Sequence, residues 1–189
     1  MHVALYFGSF NPFHLGHYAI AKTILDRTTC QALWYIVSPH NPLKDKKELL
    51  DASKRLALIQ EVIMDDNQMI ASDIEFNMPQ PSYTYNTMLA LSKAHPSHTF
   101  SIVMGGDSFA AITKWKNYKE LLRNYDVIVY KREGALINQT LSSRLKVLDV
   151  PLINISATAI RQCIKQKKHY RHLVPDNIWI ALQQSKYYH

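Results

Sequence analysis

The stretch Gly8-Ser9-Phe10-Asn11-Pro12-Phe13-His14-Leu15-Gly16-His17 decides the fold. It follows the short apolar run Val3 to Phe7, which reads as a buried strand closed by Gly8, and it precedes a helical pattern over Tyr18 to Leu25. A strand, a glycine-bearing turn and a helix in that order open a parallel α/β unit. Glycine lets backbone approach a ligand closely, and the helix N-terminus after Gly16 offers unpaired amides and a positive dipole end to phosphate. His14 and His17 stand three residues apart, so a helix beginning near Pro12 or His14 points both rings toward one crevice. Imidazoles there donate hydrogen bonds to a polyphosphate and stabilise charge developing on it. The same spacing occurs in metal sites, but no third ligand with matching spacing is visible, and phosphate is the preferred reading.

Outward from that turn, strands and helices alternate. Leu33 to Val37 is a second strand, and Ser38 to Asp51 is an exposed loop containing two prolines and the charges of Lys44 to Glu48. Asp51 caps a helix carrying Leu56, Ile59, Val62 and Ile63 at helical spacing. A third strand is expected from Met69 to Phe76 and a helix from about Asn86 to Lys93. Phe100 to Met104 forms a fourth strand, ending in Gly105 and Gly106. Further strands are expected at Val127 to Tyr130 and Leu152 to Ile155, with helices at Thr158 to Lys165 and Pro175 to Gln184. The pattern predicts an α/β fold, a doubly wound Rossmann-like parallel sheet with helices on both faces, as one domain over residues 1–189. In such a sheet the ligand crevice lies beyond the carboxyl ends of strands one and four, where the two glycine turns fall.

Composition narrows the classes. The chain has 189 residues, 47% apolar and 20% charged, which fits a globular domain and excludes collagen-like, disordered and disulfide-scaffold proteins. Lys and Arg number 22 against 15 Asp and Glu, a net charge of +7 that favours an anionic partner. Two distant cysteines, Cys30 and Cys163, and no apolar run near the roughly 18 residues of a membrane span lead us to expect a cytoplasmic protein without a membrane partner. Neither G-x-G-x-x-G nor G-x-x-x-x-G-K-[ST] occurs, which disfavours an ordinary dehydrogenase or P-loop enzyme. Average usage would give roughly thirteen glycines. The chain has five, and Gly8, Gly16, Gly105, Gly106 and Gly134 all sit in candidate ligand-facing turns.

Two motifs carry a resemblance. Gly8 to His17 resembles the H-x-G-H signature of nucleotidyltransferases, and Ile155-Ser156-Ala157-Thr158-Ala159-Ile160-Arg161 resembles the I-S-S-T-x-I-R signature of the same superfamily. Between them, Ser38-Pro39-His40-Asn41-Pro42-Leu43-Lys44, Pro81-Ser82-Tyr83-Thr84-Tyr85-Asn86-Thr87, Met104-Gly105-Gly106-Asp107-Ser108-Phe109 with Trp115, and Tyr130-Lys131-Arg132-Glu133-Gly134 are similar to segments of one branch. That branch is the bacterial nicotinate-nucleotide adenylyltransferases. The resemblance covers nearly the whole chain. It implies adenylyl transfer from ATP to nicotinic acid mononucleotide, with pyrophosphate released and deamido-NAD formed for NAD synthesis, and with Mg2+ held mainly by the ATP phosphates.

Carried over residue by residue, the resemblance implies that His14, His17 and Arg161 serve catalysis at the ATP phosphates. Gly8, Ser9, Phe10, Gly105, Asp107, Arg132, Ser156 and Thr158 would bind ATP, Asp107 meeting a ribose and Arg132 lying beside the adenine. His40 and Lys44 would reach the acceptor from the loop after the second strand, and Thr84, Trp115 and Tyr118 would form the nicotinate pocket. Trp115 and Tyr118 also suit packing, Asp107 a helix cap and Lys44 a solvated run with Lys46 and Lys47. Three departures stand out: Ala157 replaces a serine, Asn11 replaces a common aspartate, and His40 is separated from Lys44. Rivals inside the superfamily are transferases acting on nicotinamide mononucleotide, phosphopantetheine or glycerol phosphate. A rival of another class is a nucleic-acid-binding module built on the basic cluster Lys165, Lys167, Lys168, His169, Arg171 and His172; no recognisable nucleic-acid motif accompanies it, and we expect no nucleic-acid partner.

Overall fold

In the computed structural model, which describes residues 1–39, 49–132, 134–150 and 155–188, β1 (His2–Gly8) lies beside β2 (Ala32–Val37) on one edge and β4 (Thr99–Gly105) on the other. β3 (Met69–Ser72) extends the sheet past β2, and β5 (Asp126–Tyr130) and β6 (Leu145–Leu148) extend it past β4. All pairs are parallel and the order is β3-β2-β1-β4-β5-β6. Strand order therefore reverses between β1 and β4, and a crevice opens at their carboxyl ends.

Alternation along the strands feeds two cores. From β1, Ala4 and Tyr6 face one side with Leu33, Tyr35 and Val37 of β2. There they meet α1 (Leu15–Arg27), α2 (Ala52–Ile63), α6 (Ala157–Lys165) and α7 (Asp176–Gln184) through Ala21, Ile24, Leu58, Ile59, Ile160, Ile164, Ile178 and Leu182. Val3 and Leu5 face the other side with Trp34, Ile36 and Ile102. They pack on α3 (Thr84–Ala94), α4 (Gly106–Ala110) and α5 (Tyr118–Asn124) through Met88, Leu91, Phe109, Leu121 and Leu122. Strands buried on both faces are why the sequence reads as short, nearly continuous apolar runs.

The fold departs from expectation in four places. The third strand ends at Ser72, and Ile74–Asn77 form a 3-10 turn in which the Phe76 amide donates to the Asp73 carbonyl at 2.7 Å. Its buried Glu75 accepts from the hydroxyls of Ser82 at 2.7 Å and Thr87 at 2.8 Å, so the segment folds toward α3 instead of extending the sheet. The sixth strand is Leu145–Leu148. Of the expected strand Leu152 to Ile155, residues 152–154 lie outside the described residues and Ile155 has no regular structure. The first helix begins at Leu15 with His14 as its N-cap, three residues before the Tyr18 at which the helical pattern is read and next to the start near His14 that the histidine spacing supposes. Finally, α4 and α5 add short helices between β4 and β5.

Candidate active site

The turn after β1 is built by an aromatic ring folded back on a glycine. Phe10 has φ 46°, a left-handed conformation uncommon for a bulky residue, and it is buried. A Cβ at position 8 would sit 2.8 Å from the Phe10 ring, so only glycine fits beneath it. The ring also meets His17 edge-on, centroids 5.0 Å apart, and Phe13 lies 5.4 Å from His17. His17 is thereby wedged between aromatic faces at the start of α1.

His14 and His17 stack, with centroids 3.6 Å apart and planes 20° from parallel. The His14 backbone N–H donates to Nδ1 of His17 at 3.3 Å. An amide N–H only donates, so Nδ1 is an acceptor and the neutral His17 ring carries its proton on Nε2. Burial, with the charge of Arg132 behind it, lowers the pKa of His14 from 6.5 to about 4, so this ring is neutral at pH 7. A neutral His14 avoids the repulsion that two stacked imidazolium ions would meet.

A cleft of about 760 Å³ opens here. It gathers Gly8, Ser9, Phe10, His14 and His17 from the first turn, Asp107 from α4, Arg132 after β5, and Ser156, Thr158 and Arg161 from α6. Residues 150 positions apart are joined directly: Arg161 Nη1 donates to the Asn11 carbonyl at 2.8 Å. Arg161 Nη2 also donates to Thr158 Oγ1 at 3.3 Å, and Ser156 caps α6 by accepting from the Ala159 amide at 3.1 Å. Neither α1 nor α6 has an acidic residue in its first turn. Two positive helix ends and two guanidinium groups thus face a cleft whose described lining holds one carboxylate, Asp107, itself 3.4 Å from Arg132. The arrangement is built to receive an anion.

Other expected residues fall elsewhere. Gly105 caps α4 and is not among the residues that line the cleft; a Cβ there would lie 2.5 Å from Asp107 Oδ1, so glycine leaves room for that carboxylate at the strand end. Thr84, Trp115 and Tyr118 do not line it either. Thr84 opens α3, and Trp115 and Tyr118 are partly buried against the second core with Phe7, a residue that does line the cleft. Lys116 Nζ lies 4.6 Å from the Tyr83 ring and ties that turn to the start of α3. His40 and Lys44 lie outside the described residues.

Sequence reasoning missed Arg55. Its guanidinium is fully buried and donates to four carbonyls, Leu50 at 2.7 Å, Ser9 at 2.6 Å, Ser38 at 2.9 Å and Pro39 at 3.1 Å. It therefore pins together the loops that follow β1 and β2 and the chain entering α2. The available signal was its place four residues before Ile59 on the apolar stripe of α2, where a charge is expensive unless satisfied. Tyr6 and Tyr130, hydroxyls 3.2 Å apart, also line the floor of the cleft without a motif to announce them.

Comparisons with known proteins bear on the fold and the family. The cytidylyltransferase-like family matches residues 5–163. A Flavobacterium psychrophilum protein described as "Probable nicotinate-nucleotide adenylyltransferase" is 40% identical over 191 residues, covering 100% of this chain and 99% of that one. A protein of Cytophaga hutchinsonii with the same description is 38% identical over 190 residues, covering 100% and 98%. Among solved structures, Plasmodium falciparum nicotinic acid mononucleotide adenylyltransferase complexed with NaAD superposes with a TM-score of 0.82 at 17% identity, covering 98% of this chain and 97% of that one, a likeness of fold. With a family match over most of its length and relatives this similar end to end, the chain belongs to the cytidylyltransferase-like family and, within it, to the nicotinate-nucleotide adenylyltransferases.

Proposed function

We propose that this protein transfers the adenylyl group of ATP to nicotinic acid mononucleotide, releasing pyrophosphate and forming deamido-NAD. The observation that carries this reading is the convergence of His14, His17 and Arg161 with two helix N-termini on one cleft at the β1/β4 switch point. The acceptor phosphate is a monoester with a second pKa near 6, so it is mostly dianionic at neutral pH and needs no base. Its oxygen bonds to the α-phosphorus of ATP as the α–β bridging P–O bond breaks, and the electron pair leaves on pyrophosphate. What the protein supplies is alignment of two repelling anions and neutralisation of the leaving charge. His17 donates from Nε2, and Arg161 and the α6 amides hold phosphate oxygens. Gly8, Ser9 and Phe10 run along the nucleotide. Asp107 meets the ribose and Arg132 flanks the adenine.

The donor set bears on the metal. Among the described residues no group of three or more His, Cys, Asp or Glu is placed to hold one. In this reading Mg2+ would arrive on the ATP phosphates, whose charge it would offset. Thr84, Trp115 and Tyr118, with His40 and Lys44, form the acceptor side. We read residues 1–189 as one domain. Cys30 and Cys163 are free thiols, in keeping with a cytoplasmic setting; no described helix is long and apolar enough to cross a membrane.

A pyrophosphate-release assay with ATP, Mg2+ and each acceptor in turn tests the reading. Release with nicotinic acid mononucleotide, exceeding that with nicotinamide mononucleotide, phosphopantetheine or glycerol phosphate, is expected. No release with the first would overturn it.

A further inference from the structure

Asn11 ties three distant parts of the chain to the first turn. Its Oδ1 accepts from the Leu50 amide at 3.1 Å and from the Tyr188 hydroxyl at 2.6 Å, and its carbonyl accepts from Arg161 Nη1 at 2.8 Å. Tyr188 lies 177 residues away from Asn11, in the segment after α7. It packs against the first core, and Lys54 of α2 sits 5.0 Å from the ring of neighbouring Tyr187. Tyr188 itself has φ 67°, a left-handed conformation that a bulky residue holds only where contacts impose it. Burial pushes its phenol above the ordinary value of 10.0, so the hydroxyl remains a donor at any working pH.

We infer that Tyr188 is a positioning residue for the transfer: through Asn11 it fixes the carbonyl that aims the Arg161 guanidinium into the cleft. This rests on the reading above that Arg161 meets the ATP phosphates. Among the described contacts, the Asn11 carbonyl and Thr158 Oγ1 both hold the guanidinium fork. The first is only as fixed as Asn11, a buried side chain whose Oδ1 is shared between Leu50 and Tyr188. Tyr188 is absent from the described cleft lining, so its effect on the reaction passes through Asn11. A misplacement of about 1 Å at a reacting group is worth up to about 100-fold in rate. Loss of the Tyr188 hydrogen bond, with the Leu50 bond to Asn11 Oδ1 kept, is expected to cost less.

The test compares wild type, Tyr188→Phe, Arg161→Ala and the double variant in pyrophosphate release with ATP and nicotinic acid mononucleotide, beside thermal unfolding of each. Phenylalanine keeps the packed ring and removes the hydroxyl. We expect Tyr188→Phe to lower kcat about tenfold, with both KM values within about twofold and a nearly unchanged unfolding midpoint. In the Arg161→Ala background the same change should have no further effect, because the interaction it supports is gone. An unimpaired Tyr188→Phe, an equal tenfold loss in both backgrounds, or a loss that tracks a lowered midpoint would overturn the inference. A wild type that releases no pyrophosphate removes the reaction reading and this inference together; an active wild type beside an unimpaired Tyr188→Phe removes the inference alone.

Discussion

The backbone amide of His14 donates to Nδ1 of His17 while the two rings stack 3.6 Å apart, so one residue fixes both the tautomer and the tilt of the other. Nothing in core packing requires two imidazoles in this arrangement at the mouth of a cleft. Replacing His17 by alanine should therefore fall on the transition state: kcat drops by on the order of 100- to 1000-fold, as when a single preorganised donor is removed. The urea midpoint should stay close to wild type. Parallel losses of rate and stability would mark the ring as structural.

The buried neutral His14 makes stability depend on pH. Its pKa is 6.5 unfolded and about 4 folded, so between these values the unfolded chain binds the extra proton and stability falls as pH falls. The contribution is complete above about pH 6.5 and is lost by about pH 4, roughly 3 kcal/mol in all. Denaturant unfolding of wild type and His14→Asn across this range should show wild type gaining on the variant as pH rises. A pH-independent difference would contradict the assignment.

Arg55 donates to carbonyls in three separate segments. Arg55→Met fills similar space but leaves buried acceptors unpaired, at about 1–3 kcal/mol for each one left unsatisfied. We expect a loss of at least about 3 kcal/mol in urea unfolding. Arg55→Lys should not restore it, because one ammonium lacks the planar fork that reaches all four oxygens. A variant as stable as wild type would show that the loops hold themselves.

Trp115 separates the two substrates. If it belongs to the acceptor side, Trp115→Ala raises the KM for nicotinic acid mononucleotide about tenfold, the order of one lost stacking contact with its packing, and leaves the KM for ATP within about twofold. Equal rises in both, with lowered stability, would return Trp115 to the core.

How much of this was legible before folding follows from where each signal is written. The strand-turn-helix at Gly8 to His17 was readable because the glycine positions, the apolar run and the histidine pair are contiguous. Doubly wound topology followed from the alternation of elements, and the described sheet has that order. β6 is missing from the sequence reading because Leu145–Leu148 is a half-exposed edge strand interrupted by Lys146, a weak apolar signal. α4 and α5, five and seven residues long, are too short to show a period. Motif residues such as Arg161 were found because their neighbours announce them. Arg55 and Tyr188 were not, since the partners that give them meaning lie up to 177 residues away and no local pattern encodes such a contact.

The most direct measurement follows the α-phosphorus. ATP labelled there is mixed with excess enzyme, Mg2+ and nicotinic acid mononucleotide, and the quenched mixture is resolved into protein, ATP and dinucleotide. Direct transfer predicts that label passes from ATP to deamido-NAD within one turnover, with none on protein at any time and none on protein when the acceptor is omitted. Label that stays in ATP, or that appears first on the protein, would contradict the account.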